Sequence, residues 1–359
     1  MWVHDLSPFI LKFPETSLWG DQFGFRWYGF AYMLGFVCAY FLIKWLVERQ
    51  RAGLTSSMVG DFITYAAIGI LAGGRLGYCL FYDTSLFFSF RPGFPFWGVL
   101  AVNEGGMASH GGMIGVIIAC ILFAKKHGIN YVYLLDLTAI VGPIGIFFGR
   151  IANFINGELV GRVTTIDNPL AVKFPTDILN WPNYEFNRLN SLESVVDKVG
   201  ITATQWADWI RNFNTDGTAR DGVYNALFKV VHQIQNGNTA IKDAIAPVLD
   251  PRYPSQLFAA AGEGLFLFLV LFFLARKAHR PGFICGVGIM VYALIRIVDE
   301  HFRTPDAHLG FQLFGLTRGQ WLSVGMIIVG ILLIFYWTRT QSQTVNGWLR
   351  GENVKYGRR

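Results

Sequence analysis

The chain has 359 residues, of which 53% are apolar and only 15% carry a charge. An ordinary soluble domain carries about 25% charged residues, and so few polar side chains cannot cover this much apolar surface in water. The composition therefore excludes a disordered, collagen-like or disulfide-stapled protein and indicates a polytopic membrane protein. The net charge of +6 is spread over the loops, which argues against nucleic acid as a partner.

Seven apolar segments are long enough to cross a bilayer. A helix needs about 20 mostly apolar residues to cross the hydrocarbon core, and lipid offers no hydrogen-bond partner to an open backbone. The predicted spans cover residues 28–47, 62–81, 105–124, 134–153, 257–275, 283–302 and 320–338. Pro143 within the fourth span predicts a kink or a break there. The expected fold class is an all-α integral membrane protein with seven transmembrane helices.

The basic residues between the spans predict the orientation, because lysine and arginine accumulate on the cytoplasmic side of a membrane. Thirteen flank the spans on one side, namely Lys44, Arg49, Arg51, Lys125, Lys126, Arg276, Lys277, Arg280, Arg339, Arg350, Lys355, Arg358 and Arg359. The short segments on the other side carry five, namely Lys12, Arg26, Arg91, Arg303 and Arg318. The N-terminus is therefore expected outside and the C-terminus in the cytoplasm.

One connection is far longer than the others. Residues 156–256 are polar and join the fourth and fifth spans on the predicted outer side. Such a length is typical of a small domain or a functional lid, and segments 192–199, 203–213 and 224–235 are predicted to be helical. The expected parts are spans one to four with most of the site (1–161), an extracytoplasmic insertion (162–252), spans five to seven (253–340) and a basic cytoplasmic tail (341–359).

Ionisable side chains within spans are costly to bury and are usually functional. They are Arg75, His110, Asp136, Arg150, Glu263, Arg296, Asp299 and Glu300. With the predicted orientation and a rise of about 1.5 Å per residue, charges from five helices gather in the outer half of the bilayer, and only Asp136 lies at the inner side. An ion pathway would distribute charges over the full depth, whereas an amphiphile needs polar groups at head-group level above apolar walls. The pattern predicts a lipid substrate.

Arg296, Glu300 and Arg303 follow the spacing i, i+4, i+7 and share one helix face. This face is either an ion pair that neutralises itself, or a site in which Glu300 orients one arginine while the other binds an anion. Arginine suits phosphate because its planar fork donates two parallel hydrogen bonds and stays charged.

Segment 149–158 places Arg150, Asn153, Asn156 and Glu158 at the exit of the fourth span. A helix cap is an alternative explanation for the two asparagines. It does not explain a buried arginine, which is better explained by a bound anion.

Segment 105–115 is dense in glycine and contains His110. Glycine permits close approach of a backbone to a ligand, and it equally permits close packing of helices in lipid. His110 is a candidate for proton transfer near neutral pH, with packing or hydrogen bonding as the alternative. Segment 73–78 has the same character, with glycines around Arg75, an arginine that requires an anion.

The four cysteines, Cys38, Cys79, Cys120 and Cys285, each lie in a different apolar run. They form no C-x-x-C pair and have no zinc-ligand spacing, so we interpret them as small buried apolar residues. The chain also has no phosphate loop and no dinucleotide fingerprint. We expect neither a metal nor an organic cofactor.

Six segments form an ordered series of motifs along the chain. They are Arg26-Trp27-Tyr28-Gly29, segment 73–78 with Arg75, segment 105–115 with His110, segment 149–162, Pro254-Ser255-Gln256-Leu257, and segment 296–306. In this order they resemble the prolipoprotein diacylglyceryl transferase family of bacterial membrane enzymes. The resemblance extends over nearly the whole membrane part, and the arginine–asparagine–asparagine–glutamate stretch within 149–162 is its most specific feature.

The resemblance implies a reaction. Such enzymes transfer a diacylglyceryl group from phosphatidylglycerol to the lipobox cysteine thiol in the signal peptide of a preprolipoprotein, so that a thioether forms and glycerol phosphate leaves. It also implies a location in the bacterial cytoplasmic (inner) membrane, with the active site toward the outer leaflet. A thiolate is the nucleophile, and positive charge at the departing phosphate lowers the barrier.

The resemblance further implies roles for single residues. Arg150 and Arg296 match the family's essential arginines and are expected to hold the phosphate. His110 matches the family's histidine and is expected to accept the thiol proton, unless the arginines alone lower the pKa of the thiol sufficiently. Phosphatidylglycerol is expected to contact Tyr28, Arg75, Arg150, Asn153, Asn156, Glu158, Gly161, Glu300 and Arg303.

Two departures from the family pattern stand out. This chain has Tyr253 and Phe258 where the pattern has histidine and tyrosine, and Ala259 replaces an acidic residue, so no role is assigned to these positions. The stretch between Arg162 and Arg252 is longer than in compact relatives, and we hypothesise that it guides the signal peptide to the site. The competing class is a lipid or anion carrier that uses the same arginines without transferase chemistry, although the chain has no evident inverted repeat.

Overall fold

The computed structural model describes residues 1–13, 24–93, 95–102, 105–304 and 315–349. Asp306 of the last motif and residues 350–359 of the predicted tail lie outside the described residues. The chain divides into two compact units. The first comprises Met1–Met33, Ile146–Leu265 and Ala293–Val324, and the second comprises Leu34–Gly145, Phe266–Tyr292 and Gly325–Arg359.

Helices dominate the described residues. In chain order they are α1 (Trp27–Gln50), α2 (Val59–Phe81), α3 (Ser109–His127), α4 (Tyr131–Asn156), α5 (Trp181–Tyr184), α6 (Glu193–Asp197), α7 (Ala203–Asn212), α8 (Gly217–Gln235), α9 (Thr239–Ile245), α10 (Ser255–Ala259), α11 (Leu267–Leu274), α12 (Phe283–Asp299) and α13 (Arg318–Thr340). A π-helical turn, Ala260–Phe266, joins α10 and α11 into one continuous helix.

Six helices among the described residues are long and apolar enough to cross a membrane. They are Trp27–Gln50, Ser56–Phe81, Ser109–His127, Tyr131–Asn156, Ser255–Leu274 and Arg318–Thr340. The predicted span 283–302 corresponds to α12, which has 17 residues and is thus about 26 Å long at about 1.5 Å per residue, slightly less than the hydrocarbon thickness of about 30 Å. The architecture fits an all-α membrane protein, and the seventh span stays a prediction.

Two local features differ from the sequence analysis. Helix α4 passes through Pro143 without the break that was one of its predicted effects, since neighbouring elements can compensate a single missing amide in a membrane helix.

Helix α3 begins at Ser109, four residues after the predicted start of its span. Gly105 and Gly106 have φ angles of +88° and +77°, which an α-helix cannot include.

Close packing of α2 against α3 marks the second unit. A Cβ at Gly77 of α2 would lie 2.8 Å from the Cα of Gly111 of α3, and a Cβ at Gly73 would lie 2.9 Å from the Cα of Gly115. Side chains larger than hydrogen would separate the two helices, as at other close helix contacts in membranes. Of the two interpretations of these glycines, helix packing is therefore confirmed.

A side chain of α4 caps the start of α12 in the second unit. Asp136 is 1% exposed and accepts hydrogen bonds from the backbone N–H groups of Gly282 and Cys285, both 2.7 Å long. The first amides of a helix lack acceptors within the helix, and a carboxylate is favoured there by the helix dipole. Asp136 therefore has a structural explanation.

The first unit contains a small helical part with its own core, here called the head (residues 172–252). The buried side chains of this core include Trp181, Trp206, Val223, Leu227 and Val230. Its helices α6, α7 and α8 confirm the three helical segments predicted there. Side-chain caps from Thr202, Asp216 and Asn238 start α7, α8 and α9, as is usual for these residue types.

Two small sheets of the first unit have no counterpart in the sequence analysis. Strand β1 (Trp2–Val3) pairs in parallel with β4 (Val172–Lys173), which pairs antiparallel with β5 (Pro251–Arg252). Strands β2 (Phe9–Lys12) and β3 (Gly24–Arg26) form an antiparallel pair. Strands this short contain no alternating pattern that a sequence could reveal. The first sheet joins the N-terminal segment to both ends of the head.

Candidate functional site

Two arginines of the first unit meet at one buried carboxylate. Arg150 on α4 donates from Nε and Nη2 to Oε2 of Glu263, at 3.1 and 2.7 Å. Arg296 on α12 approaches the other oxygen, with its Nε 3.9 Å from Oε1 of Glu263. The Glu263 side chain is completely buried, while those of Arg150 and Arg296 are 18% and 19% exposed. The Glu263 carboxylate therefore hydrogen-bonds one guanidinium group and lies within ion-pair distance of the other, and each guanidinium keeps an accessible part.

Two glycines allow Glu263 to reach both helices. Glu263 lies in the π-helical turn, a wide form of helix that is frequent at functional sites. A Cβ at Gly264 would lie 2.7 Å from the Cα of Phe147 on α4, and a Cβ at Gly262 would lie 2.8 Å from the Ile295 side chain on α12. The helix therefore approaches α4 with one face and α12 with another, with Glu263 between the two contacts.

Arg296 has a second carboxylate partner, one helical turn further along. Its Nη1 lies 2.9 Å from Oε2 of Glu300, and Oγ1 of Thr317 donates to the other oxygen of Glu300 at 3.0 Å. The ion pair between Arg296 and Glu300 is therefore present, and it agrees with both interpretations of the face that these residues share with Arg303. Asp299 and Arg303 interact electrostatically with the same group of charges. The set of Arg150, Glu263, Arg296, Asp299, Glu300 and Arg303 is called the arginine cluster below.

A network of polar side chains surrounds Glu158. The Tyr28 hydroxyl donates to Oε2 of Glu158 at 3.1 Å, and the amide of Asn153 donates to the Tyr28 hydroxyl. Asn156 donates from Nδ2 to Oε1 of Glu158 at 3.3 Å. Both asparagines are buried, whereas Glu158 is exposed. These four side chains, the Glu158 network, combine an accessible carboxylate with buried amides that orient it.

The Glu158 network and the arginine cluster adjoin. Arg150 and Asn153 are three residues apart on α4 and share a helix face, and Arg150 interacts electrostatically with Tyr28. Gly161, the remaining predicted residue of this unit, lies against the backbone carbonyl groups of Tyr253 and Phe302, so closely that a Cβ would collide with both. The first unit thus brings together nine of the eleven predicted residues.

The other two predicted residues, Arg75 and His110, belong to the second unit. Arg75 is 5% exposed, and its guanidinium donates to the carbonyl oxygens of Gly98, Val99 and Gly106 at 2.6, 2.8 and 3.0 Å, and to that of Gly105. Carbonyl dipoles of residues 98, 99, 105 and 106 therefore stabilise its charge, where the sequence predicted an anion. His110 is the second residue of α3 and is exposed.

Burial shifts the pKa of groups beside the Glu158 network. It lowers the pKa of His4, whose Nε2 lies 2.7 Å from the carbonyl oxygen of Phe154 and donates to it. Burial also raises the pKa of Asp177, and Arg252, 2.8 Å away, opposes this shift by favouring the charged form. Both groups lie outside the predicted spans.

Some residues of the site had no assigned role in the sequence analysis. Glu263 was only one of several charges within spans, although a single carboxylate in an apolar helix without a basic neighbour is a signal for a partner on another helix. Gln256 donates from Nε2 to the carbonyl oxygen of Glu158 at 2.5 Å. Gln256 belongs to one of the six motifs, but its partner could not be predicted, and Thr317 lies in none of them. Only the tertiary structure brings Gln256 to Glu158 and Thr317 to Glu300.

The fold and the site define a helical membrane protein with paired arginines suited to an anionic ligand. The model of the prolipoprotein diacylglyceryl transferase family matches residues 17–336. A phosphatidylglycerol–prolipoprotein diacylglyceryl transferase of Bdellovibrio bacteriovorus is 60% identical over 99% of this chain and all of its own length. Enzymes with the same name from Bradyrhizobium diazoefficiens and Neisseria meningitidis are each 34% identical, over 92% and 86% of this chain and 94% and 89% of their own. The chain belongs to the prolipoprotein diacylglyceryl transferase family.

Proposed function

We propose that this chain transfers the diacylglyceryl group of phosphatidylglycerol to the lipobox cysteine of preprolipoproteins. The cysteine sulfur forms a bond to the glyceryl carbon next to the phosphate, the carbon–oxygen bond to that phosphate breaks, and glycerol phosphate leaves with the bonding electrons. The activity named for the relative with 60% identity supports this reaction. The structural observation that carries the proposal is the convergence of Arg150 and Arg296 on Glu263.

Arg150 and Arg296 are the proposed phosphate-binding and transition-state-stabilising residues. Negative charge grows on the phosphate as the carbon–oxygen bond breaks, and preorganised cations stabilise it without reorganisation. Glu263 supports this role because it hydrogen-bonds the Arg150 guanidinium and attracts that of Arg296 from 3.9 Å before substrate arrives. Glu300 and Arg303 complete the charge distribution around Arg296.

The Glu158 network is the proposed contact for the glycerol head group. Glycerol hydroxyl groups both donate and accept hydrogen bonds, and the network offers a carboxylate, two amides and a phenol to them. Its position next to Arg150 supports the idea that one phosphatidylglycerol molecule reaches both groups. Gly161 contributes by its lack of a side chain, which lets the backbone that follows Glu158 lie against the carbonyl groups of Tyr253 and Phe302.

His110 is the proposed acceptor of the thiol proton, and Arg75 is the proposed support of the loop that precedes α3. The exposure of His110, which leaves its ring accessible to a substrate thiol, supports the first role. The alternative is that the arginine cluster alone lowers the pKa of the thiol. Replacing His110 by asparagine tests whether His110 is the base. If it is, the pH–rate profile of the variant loses the acid limb that the wild type shows. If His110 only positions the substrate, the variant is slower by the same factor at every pH.

The proposed topology has seven spans, with the N-terminus outside and the C-terminus in the cytoplasm. The excess of thirteen over five basic residues supports it. The proposed location is the bacterial cytoplasmic membrane, with the site toward the outer leaflet and the head outside. Cysteine labelling of intact cells tests it: a Ser194→Cys variant, changed at an exposed position of the head, should react with an impermeant reagent added outside.

We further propose that the head guides the signal peptide to the site. It exposes two aromatic side chains, Tyr184 and Phe228, of the kind that bind apolar peptides. Changing both to serine should alter the ratio of rates on two lipobox peptides with different apolar segments. Deletion of 183–238 is a coarser test, because it removes Trp206 and much of the core.

A mass measurement tests the reaction itself. The purified protein is incubated with phosphatidylglycerol and a lipobox peptide that contains cysteine. A transferase adds the diacylglyceryl mass to the peptide, and Arg150→Ala slows that addition by about 100- to 1,000-fold. A lipid or anion carrier, the competing class, leaves the peptide mass unchanged, and that result would reject the proposed function.

A further inference from the structure

Residues 158–162 form a segment that bends at Leu159, where φ is +53°, and whose backbone is held from two sides. Its five carbonyl oxygens accept hydrogen bonds, in chain order, from the side chains of Gln256, Ser255, Thr304 and Arg252 and from the backbone N–H of Tyr253, at 2.5, 3.0, 3.3, 3.1 and 3.0 Å. On the other edge, the N–H of Arg162 donates to the carbonyl oxygen of Phe302 at 2.9 Å. The segment begins at Glu158, and its path is therefore fixed from that residue to Arg162.

The side chain of Arg162 extends to the C-terminal end of α12 and the turn after it, which carry Arg296, Asp299, Glu300 and Arg303. Its Nε donates to the carbonyl oxygen of Arg303 at 2.7 Å, and its Nη2 donates to that of Glu300 at 3.0 Å. The last carbonyl groups of a helix lack donors within the helix, and a cation there is favoured by the helix dipole. One side chain thus holds the backbone of two residues of the arginine cluster.

The head anchors the same segment through a buried ion pair. Arg252 donates from Nε and Nη2 to Oδ2 of Asp177 at 3.0 and 2.8 Å, and from Nη1 to the carbonyl oxygen of Gly161. Arg252 and Asp177 are 6% and 5% exposed. Because this pair is shielded from water, it gives Arg162 a fixed backbone from which to hold α12.

We propose that Arg162 is a positioning residue for the transfer reaction. It sets the place of Glu300 and Arg303 relative to Glu158, and it thereby aligns the arginine cluster with the Glu158 network. Arg162 acts through these residues and does not itself contact the substrate. The inference rests on the proposed function, and its physical reason is that misplacing groups around a reacting centre by about 1 Å can cost about 100-fold in rate.

The test compares kinetic constants of the full-length protein with phosphatidylglycerol and a lipobox peptide. Arg162→Met keeps the length of the side chain and removes its donors. We expect kcat to fall about 10- to 100-fold, while KM for phosphatidylglycerol changes less than about threefold. Arg162→Lys should recover part of the loss, because an ammonium group can satisfy one carbonyl but lacks the planar fork that satisfies two.

Arg188→Met is the matched control. Arg188 also donates to a backbone carbonyl, that of Val248 at 2.9 Å, and to the carboxylates of Glu185 and Asp250. None of these partners belongs to the arginine cluster or the Glu158 network. The kcat of Arg188→Met should stay within about twofold of the wild-type value, which separates a general effect of losing a half-buried arginine from the positioning effect.

Two results would overturn the inference. The first is an Arg162→Met protein in which kcat and KM both equal the wild-type values. The second is one in which kcat is unchanged and KM is tenfold higher, which would make Arg162 a binding residue. If Arg162→Met does not fold, Arg162→Gln, with a single amide donor, takes its place under the same criteria. The wild-type protein is assayed first. If the proposed function is wrong, the wild-type protein forms no product. If only the inference is wrong, the wild type forms product and Arg162→Met has the same kcat.

Discussion

Arg150 and Glu263 are joined by two hydrogen bonds of 2.7 and 3.1 Å, although 113 residues separate them in the chain. The same carboxylate faces Arg296, whose Nε lies 3.9 Å away. Glu263 thus connects the helices α4 and α12 electrostatically at the point where the proposed phosphate binds. We therefore expect Glu263 to affect stability and turnover alike.

Replacing Glu263 by alanine should lower the free energy of unfolding by about 3 kcal/mol, because removing one partner of a buried ion pair leaves charge without compensation. Thermal or denaturant unfolding in detergent measures this loss. Glu193→Ala, at an exposed position of α6, is the control and should change the free energy by less than about 0.5 kcal/mol. Equal stabilities of the two variants would contradict the structural role of Glu263.

Replacing Arg150 by lysine should retain part of the activity that alanine removes. Arg150→Ala should lower kcat by about 100- to 1,000-fold, the usual cost of losing one preorganised donor. Lysine keeps the charge but has no planar fork, so a loss of about tenfold is expected. Exposed Arg211 of α7 provides a control substitution to alanine. An Arg150→Ala protein with more than a tenth of wild-type kcat would argue against phosphate stabilisation by Arg150.

Tyr28→Phe should weaken the use of phosphatidylglycerol, because Glu158 loses a hydrogen-bond donor and Asn153 loses an acceptor. Hydrogen bonds to charged groups contribute about 1.5–3 kcal/mol, so kcat/KM should fall about 10- to 100-fold. Tyr32→Phe is the matched control, since Tyr32 stacks on Tyr28 with 6.5 Å between ring centroids and is 57% exposed. Similar kinetics for both variants would exclude the Tyr28 hydroxyl from head-group binding.

Changing all four cysteines to serine should leave turnover largely intact, because the nucleophilic thiol belongs to the substrate. All four are free cysteines, and Cys79 and Cys120 are buried. Product mass and initial rate are measured next to a folding control such as the elution volume in size-exclusion chromatography. Lost turnover in a well-folded protein would mean that one of these thiols takes part in the chemistry.

The fold around His4 should weaken in mild acid. Burial lowers the pKa of His4 below its usual value of 6.5, so the unfolded chain binds the proton more readily than the folded one. Stability is then complete above about pH 6.5 and falls as the pH decreases through that value toward the folded pKa. The melting temperature of the wild type should drop more between pH 7.5 and pH 5 than that of His4→Gln, which keeps a donor for Phe154.

His301 supplies the control for this pH effect, because it is exposed at the end of α12. His301→Gln should show the same pH dependence of melting as the wild type. If His4→Gln and His301→Gln lose equal amounts of stability on acidification, the pH dependence has another source.

The apolar runs and the spacing of charged residues by themselves determine much of this protein. Helix α1 covers the predicted span 28–47 and extends it by one residue before and three after, because a run of about 20 apolar residues leaves helix as the stable form in lipid. The motif order along the chain also sufficed to identify the family. Local composition and order along the chain are sufficient for these conclusions.

Only the tertiary structure decided which charges are partners. Nothing in the sequence links Arg150 to Glu263 or Arg162 to the carbonyl of Arg303, because each pair is more than 100 residues apart in the chain. The sequence could not distinguish Asp136, a helix cap, from Glu263, the bridge between two arginines, since both are single carboxylates in apolar helices. A charge within a membrane helix must find a partner, but the identity of that partner depends on which helix faces pack together, and packing joins residues that are far apart in the chain.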